Sequence, residues 1–185
     1  MSKTGVWAVI VLLVAVALAV GAAIAVTHPS ARRELEAVLD SPYGLAGLFA
    51  LSALSTAALV VPVPGMALTV LAASVAPPMV VGVVGGMGQT MGELTGYLVG
   101  RSSDQLVHAR LSSSRIGTWM GRHGVLVVFV LALVPNPAFD VAGALAGGLR
   151  MPVVRFLVAA GAGKVLRNVM IAVLASRAGE LLAGA

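Results

Sequence analysis

The sequence has no cysteine, few aromatic residues (4%) and few charged ones (10%) among its 185 residues. Without cysteine there is no disulfide framework, no thiolate catalysis and no cysteine-ligated metal site. Charge this sparse cannot cover a water-facing globule of this length. The histidines, His28, His108 and His123, fall in loop stretches without metal-ligand spacing, and no Ser/His/Asp set can be assembled. No enzyme activity, resident metal or cofactor is therefore expected.

The chain is instead 59% hydrophobic, with a mean hydropathy of +1.02, so a bilayer is its natural solvent. A pI near 10.8 would suggest nucleic acid in a soluble protein. Here the charges sit in short loops between apolar stretches, which points to anionic lipid and away from nucleic acid.

Val6 to Val26 is an unbroken apolar run of about 20 residues preceded by Lys3, enough to cross a bilayer as helix. Residues 1–27 are expected as a retained signal-anchor helix. A cleaved signal peptide ending near Ala23-Ile24-Ala25 is the competing reading. Residues 28–43 form a polar, amphipathic stretch at the membrane interface, with Ser30 placed to cap a short helix. Gly44 to Val61 is apolar, Pro62-Val63-Pro64-Gly65 stops it, and Met66 to Ala76 is apolar but too short to span before Pro77-Pro78. Two apolar pieces joined by a Pro/Gly break, one of them short, read as a re-entrant hairpin over 44–78. A span over 79–100 follows, then a basic loop over 101–123. That loop's Asp104 to Met120 piece is weakly amphipathic and is expected on the inner surface. A second hairpin over 124–150 breaks at Pro135-Asn136-Pro137, a last span covers 152–176, and 177–185 is a tail. Trp7 and Trp119 read as interface anchors.

Lys3, the 101–123 loop and Arg150 with Arg155 fall inside by the positive-inside rule, and 28–43 and the tail fall outside. The N-terminus is then cytoplasmic. The expected fold is an all-α integral membrane protein: an inverted repeat of two opposed re-entrant helical hairpins plus about three spanning helices. The alanine, valine and glycine bias suggests a prokaryotic inner membrane. A homo-oligomer remains open.

Gly88, Gly92, Gly96 and Gly100 recur every fourth residue and allow close backbone approach, for tight helix packing or as a smooth lipid path. Glu93 beside them needs protein or water and a partner, because a carboxylate at a helix centre in lipid costs roughly 2.5 to 3.5 kcal/mol. It is either half of a static ion pair or a substrate or proton site. Asp140 lies about one turn past the second break, and Lys164 and Arg167 share a helix face as its countercharges. Such a set is either a static clamp or a phosphate site. Helix N-termini at the breaks also favour an anion.

At these residues the chain resembles the DedA superfamily, also called the VTT or SNARE-associated family. Tyr97 to Arg101 matches its aromatic-xxx-basic motif, and Gly147, Met151 and Phe156 match its G-xxx-[VILM]-xxxx-[FY] motif. Pro135-Asn136-Pro137-Ala138-Phe139-Asp140-Val141-Ala142-Gly143, with Pro152, Phe156 and Gly163-Lys164, is similar to the vacuole membrane protein branch. The resemblance implies two opposed re-entrant hairpins and movement of phospholipid or polyprenyl phosphate between leaflets. Many bacterial members carry an acid where this chain has Met66 and arginines where it has Ala132 and Asn136. Those groups are tied to proton coupling, so their loss shifts the expectation from pump to scramblase.

The expected function is therefore lipid scrambling or flipping through a groove lined by the two hairpins. Glu93, Asn136, Asp140, Lys164 and Arg167 would lie on the headgroup path, and Pro62, Pro64, Gly65, Pro135 and Pro137 would make the breaks. A proton- or ion-coupled small-solute transporter and a membrane scaffold working through the 101–123 loop are the alternatives.

Overall fold

The computed structural model describes residues 29–57, 65–103, 113, 115–134 and 138–183. The expected anchor helix, the prolines Pro62, Pro64, Pro135 and Pro137, Asn136 and most of the 104–114 segment lie outside them, as does the side chain of Asp140. Every described element is helical: α1 Pro29–Leu39, α2 Gly44–Ala57, α3 Gly65–Ala73, α4 Pro78–Gly92, α5 Leu94–Arg101, α6 Arg115–Leu133, α7 Ala138–Gly148 and α8 Val153–Ala183.

Helix α1 begins at Pro29, so Ser30 sits inside the first turn and is not the cap the sequence suggested. Proline suits that position because its missing N–H would be unpaired there anyway. The chain then bends by 100° into α2. Gly44 permits the bend: a Cβ there would collide with the Leu39 carbonyl. Helix α2 buries Gly44, Leu48, Ser52 and Ser55, one stripe at helical spacing, and its partner is α4.

The segment expected as one span over 79–100 is two helices. Glu93 separates α4 from α5, yet it keeps helical dihedrals (φ −66°, ψ −16°). Its N–H still reaches the Gln89 carbonyl at 3.2 Å, and its carbonyl accepts from Tyr97 at 3.1 Å. The interruption is one turn residue, with no loop.

The glycines explain how α4 sits between α2 and α8. A Cβ on Gly82 or Gly86 would lie 2.5 Å from the Val169 Cα or 2.6 Å from the Val165 Cα of α8, and one on Gly88 or Gly92 would strike the Phe49 or Ala53 carbonyl of α2. Gly100 packs against Ala144 of α7 instead. The glycine stripe is thus a contact face that changes partner across Glu93, in keeping with the tight-packing reading.

Helix α6 contains a non-helical residue, His123 (φ −127°, ψ 19°), so part of the expected 101–123 loop is helix with a kink at its expected end. Arg150, with φ 57°, turns the chain after α7, and Pro152 leads into α8. Within α8, Val153–Gly179 is 27 residues long and apolar enough to cross a bilayer, unlike any other single described helix. The expected last span, 152–176, falls almost wholly within it.

Two apolar cores result. One gathers Tyr97, Val128, Phe139, Ala146, Phe156 and Ala160 around α5, α6, α7 and the start of α8. The other gathers Leu48, Ala72, Ala73, Val81 and Ala172 around α2, α3, α4 and the later part of α8.

Candidate functional site

Between the two cores lies a cluster of buried polar side chains. Lys164 of α8 and Glu93 meet at 2.5 Å, with side-chain exposures of 5% and 4%. One turn along α8, Arg167 is buried and donates from Nη2 to the Gln89 Oε1 at 2.7 Å. Asn168 and Gln89 pair their amides reciprocally, each bond 3.1 Å long. The Thr69 hydroxyl donates to Asn168 Oδ1 at 2.7 Å, and Asn168 Nδ2 donates to the Lys164 carbonyl at 2.8 Å. The ring of Phe139, from α7, stands 4.7 Å from the Lys164 ammonium, a cation–π distance.

Both short helices therefore reach the cluster, α3 through Thr69 and α7 through Phe139. Gly65, expected at the first break, lies beside it: a Cβ there would come within 2.8 Å of Gln89 and 2.9 Å of Ser55. Among the described residues, two buried side-chain polar atoms have no hydrogen-bond partner, Arg167 Nε and Ser52 Oγ. Arg167, a buried cation, thus meets a neutral amide oxygen and keeps one donor unmet. Leaving such a donor unsatisfied costs about 1 to 3 kcal/mol.

Of the expected path residues, the structure brings Glu93, Lys164 and Arg167 together and gives Glu93 the countercharge it required. The backbone of Asp140 lies in α7. Gln89, Asn168 and Thr69 were missed. Their register was the available signal: Gln89 is four residues before Glu93 and Asn168 four after Lys164, one helical turn in each case. Among the described residues no group of three or more His, Asp or Glu could hold a metal ion.

The motif residues converge at a second place, the joint of α5 with the end of α7 and the start of α8. The Tyr97 ring stacks on Phe156, with centroids 5.0 Å apart and planes at 25°. Its hydroxyl donates to the Met151 carbonyl at 2.6 Å and accepts from Arg101 Nη1 at 3.1 Å. Gly147 completes the joint, because a Cβ there would strike the Tyr97 carbonyl and approach the Arg101 amide. Motifs some fifty residues apart thus form one interlock.

A protein-family model described as VTT domain matches residues 63–177, more than half of the chain. The chain belongs to the VTT family, the DedA/SNARE-associated family. VTT proteins are generally membrane proteins, and the match takes in α3 to α7 and most of α8. It holds for the VTT family as a whole and does not single out the vacuole membrane protein branch. No curated protein and no solved structure matches the chain.

Proposed function

We propose that the chain is a membrane lipid transporter that moves phospholipid or polyprenyl phosphate between leaflets. The observation that carries this reading is Arg167: a buried guanidinium on the spanning helix whose hydrogen-bond partner is neutral and whose Nε has none. A cation in that position is expensive in a bilayer and marks a substrate path by default. A phosphate would accept from Nε and add its negative charge to that of Glu93 nearby. Lys164 stands one turn away, and its contact with Glu93 would hold it in place between passages.

The packing supports two opposed hairpins. Each short helix follows a proline-containing stretch of sequence and packs on a helix of the other half, α3 on α8 and α7 on α5. This crossing is what an inverted repeat would produce. The cluster between the halves would then line a groove that lowers the penalty of carrying a headgroup through hydrocarbon. The chain would sit in a prokaryotic inner membrane with its 101–123 loop on the cytoplasmic side.

The test is leaflet exchange of a labelled phospholipid in proteoliposomes, with and without a proton gradient. Arg167→Gln should slow exchange roughly tenfold, the loss of one charge-assisted hydrogen bond of about 1.5 kcal/mol. An unchanged rate in a correctly folded variant would sink the assignment. A second reading, proton-coupled solute transport, draws on Glu93, a carboxylate paired with Lys164 at the turn between α4 and α5. It requires gradient-dependent flux that Glu93→Gln abolishes, whereas scrambling proceeds without a gradient. Exchange by the purified chain alone would exclude a mere scaffold.

A further inference from the structure

A cavity of about 690 Å³ lies between α6, the end of α7 and the start of α8, within the usual size range of small-molecule sites. It shares no residue with the Glu93 cluster. Among the described residues, Arg122, Arg150 and Arg155 line it and no Asp or Glu does. None of the three arginines forms an ion pair with a described residue. The rest of the lining is largely apolar.

The basic and apolar parts are ordered. On α8, Arg155, Val158 and Ala162 follow one another at helical spacing, and on α6 Arg122 stands just before the kink at His123, with Leu126 and Phe129 on the helix that follows it. Along both helices the cavity lining therefore begins with a guanidinium and continues as hydrocarbon. Leu126 and Val158 are 59% and 65% exposed, so the apolar wall opens sideways to the surroundings. Arg150 joins the basic end from the left-handed turn that closes α7.

From this order we infer a binding site for an anionic phospholipid, its phosphate among the three arginines and its acyl chains along the open wall. Three cations with no carboxylate among the described lining residues select net negative charge over a zwitterion. A lateral opening suits an amphiphile entering from one leaflet, and the positive-inside rule makes that leaflet the cytoplasmic one. Such a site would hold lipid whether or not the chain transports it.

The test measures lipid retained by the full detergent-solubilised chain after exposure to phosphatidylglycerol or phosphatidylcholine, with inorganic phosphate as competitor. Phosphatidylglycerol should be retained in clear preference. Arg122→Gln, Arg150→Gln and Arg155→Gln should each weaken that retention roughly fivefold. Arg32→Gln, on α1, should leave it unchanged. Because Arg150 sits at a left-handed turn, Arg122→Gln serves as the variant least able to disturb folding, and Leu126→Gln should weaken retention with every charge intact. Equal retention of the two lipids would overturn the site, as would Gln variants that bind normally. Competition by inorganic phosphate would also overturn it, by reducing it to a headgroup-only anion site. So would retention that falls as protein concentration rises, since a second copy would then be the occupant.

Discussion

Asn168 uses its whole amide at once: Oδ1 accepts from Thr69 and Gln89, and Nδ2 donates to Gln89 and to the Lys164 carbonyl. A buried amide so completely partnered fixes its neighbours, because every alternative rotamer leaves a polar atom unmet in a medium without water. The ion pair beside it is fixed differently. Lys164→Met would remove the ammonium that meets the buried Glu93 carboxylate and should lower unfolding free energy by about 3 to 5 kcal/mol. Adding Glu93→Gln should recover most of that loss. A double-mutant cycle in a detergent–denaturant titration checks this, and an additive cycle would show that the two side chains act separately. Charges were legible in the sequence because a charged residue inside an apolar run has few reasons to be there. Gln89, Asn168 and Thr69 were not, because neutral amides and hydroxyls are equally at home in caps, turns and solvent-facing helix positions.

At the scale of the helix, the glycines were legible and the interruption at Glu93 was not. A four-residue glycine repeat has one cheap explanation, backbone contact. Its partners, α2 on one side of Glu93 and α7 on the other, depend on tertiary structure that no local pattern encodes. Glu93 keeps helical dihedrals and carries no proline beside it, so nothing local announced the turn. Gly86→Ala would push a methyl into the α8 backbone and should destabilise by about 1 to 3 kcal/mol. Gly47→Ala, whose Cβ would meet nothing within 4 Å, should be neutral or slightly stabilising. Comparing unfolding midpoints of the two variants tests the contact, and equal midpoints would contradict it.

Across the whole molecule the usual distribution of side chains is reversed. Glu93, Lys164, Arg167, Gln89 and Asn168 are buried, while Leu51, Leu54, Met87, Met91, Val141, Met170 and Leu174 are exposed. Water would penalise that arrangement and a bilayer rewards it. Nitroxide labels at Leu54, Met91 and Leu174 should relax faster with dissolved oxygen than with a water-soluble nickel chelate, and the reverse order would contradict a lipid-facing surface. Composition made the all-helical membrane class legible, since few charges and long apolar runs admit little else. The crossed packing of the halves was less so, because contacts between distant segments leave no periodic trace. The bond from Thr69 to Asn168 joins residues 99 apart in the chain, and it constrains the order in which the protein is made. Helix α3 emerges from the ribosome long before α8, nine residues long and too short to rest alone across hydrocarbon. Its hydroxyl has no Asn168 to bond until most of the chain has been synthesised. Helix α3 must therefore wait near the membrane surface or in the insertion machinery, and the polar cluster assembles last, when the final helix arrives.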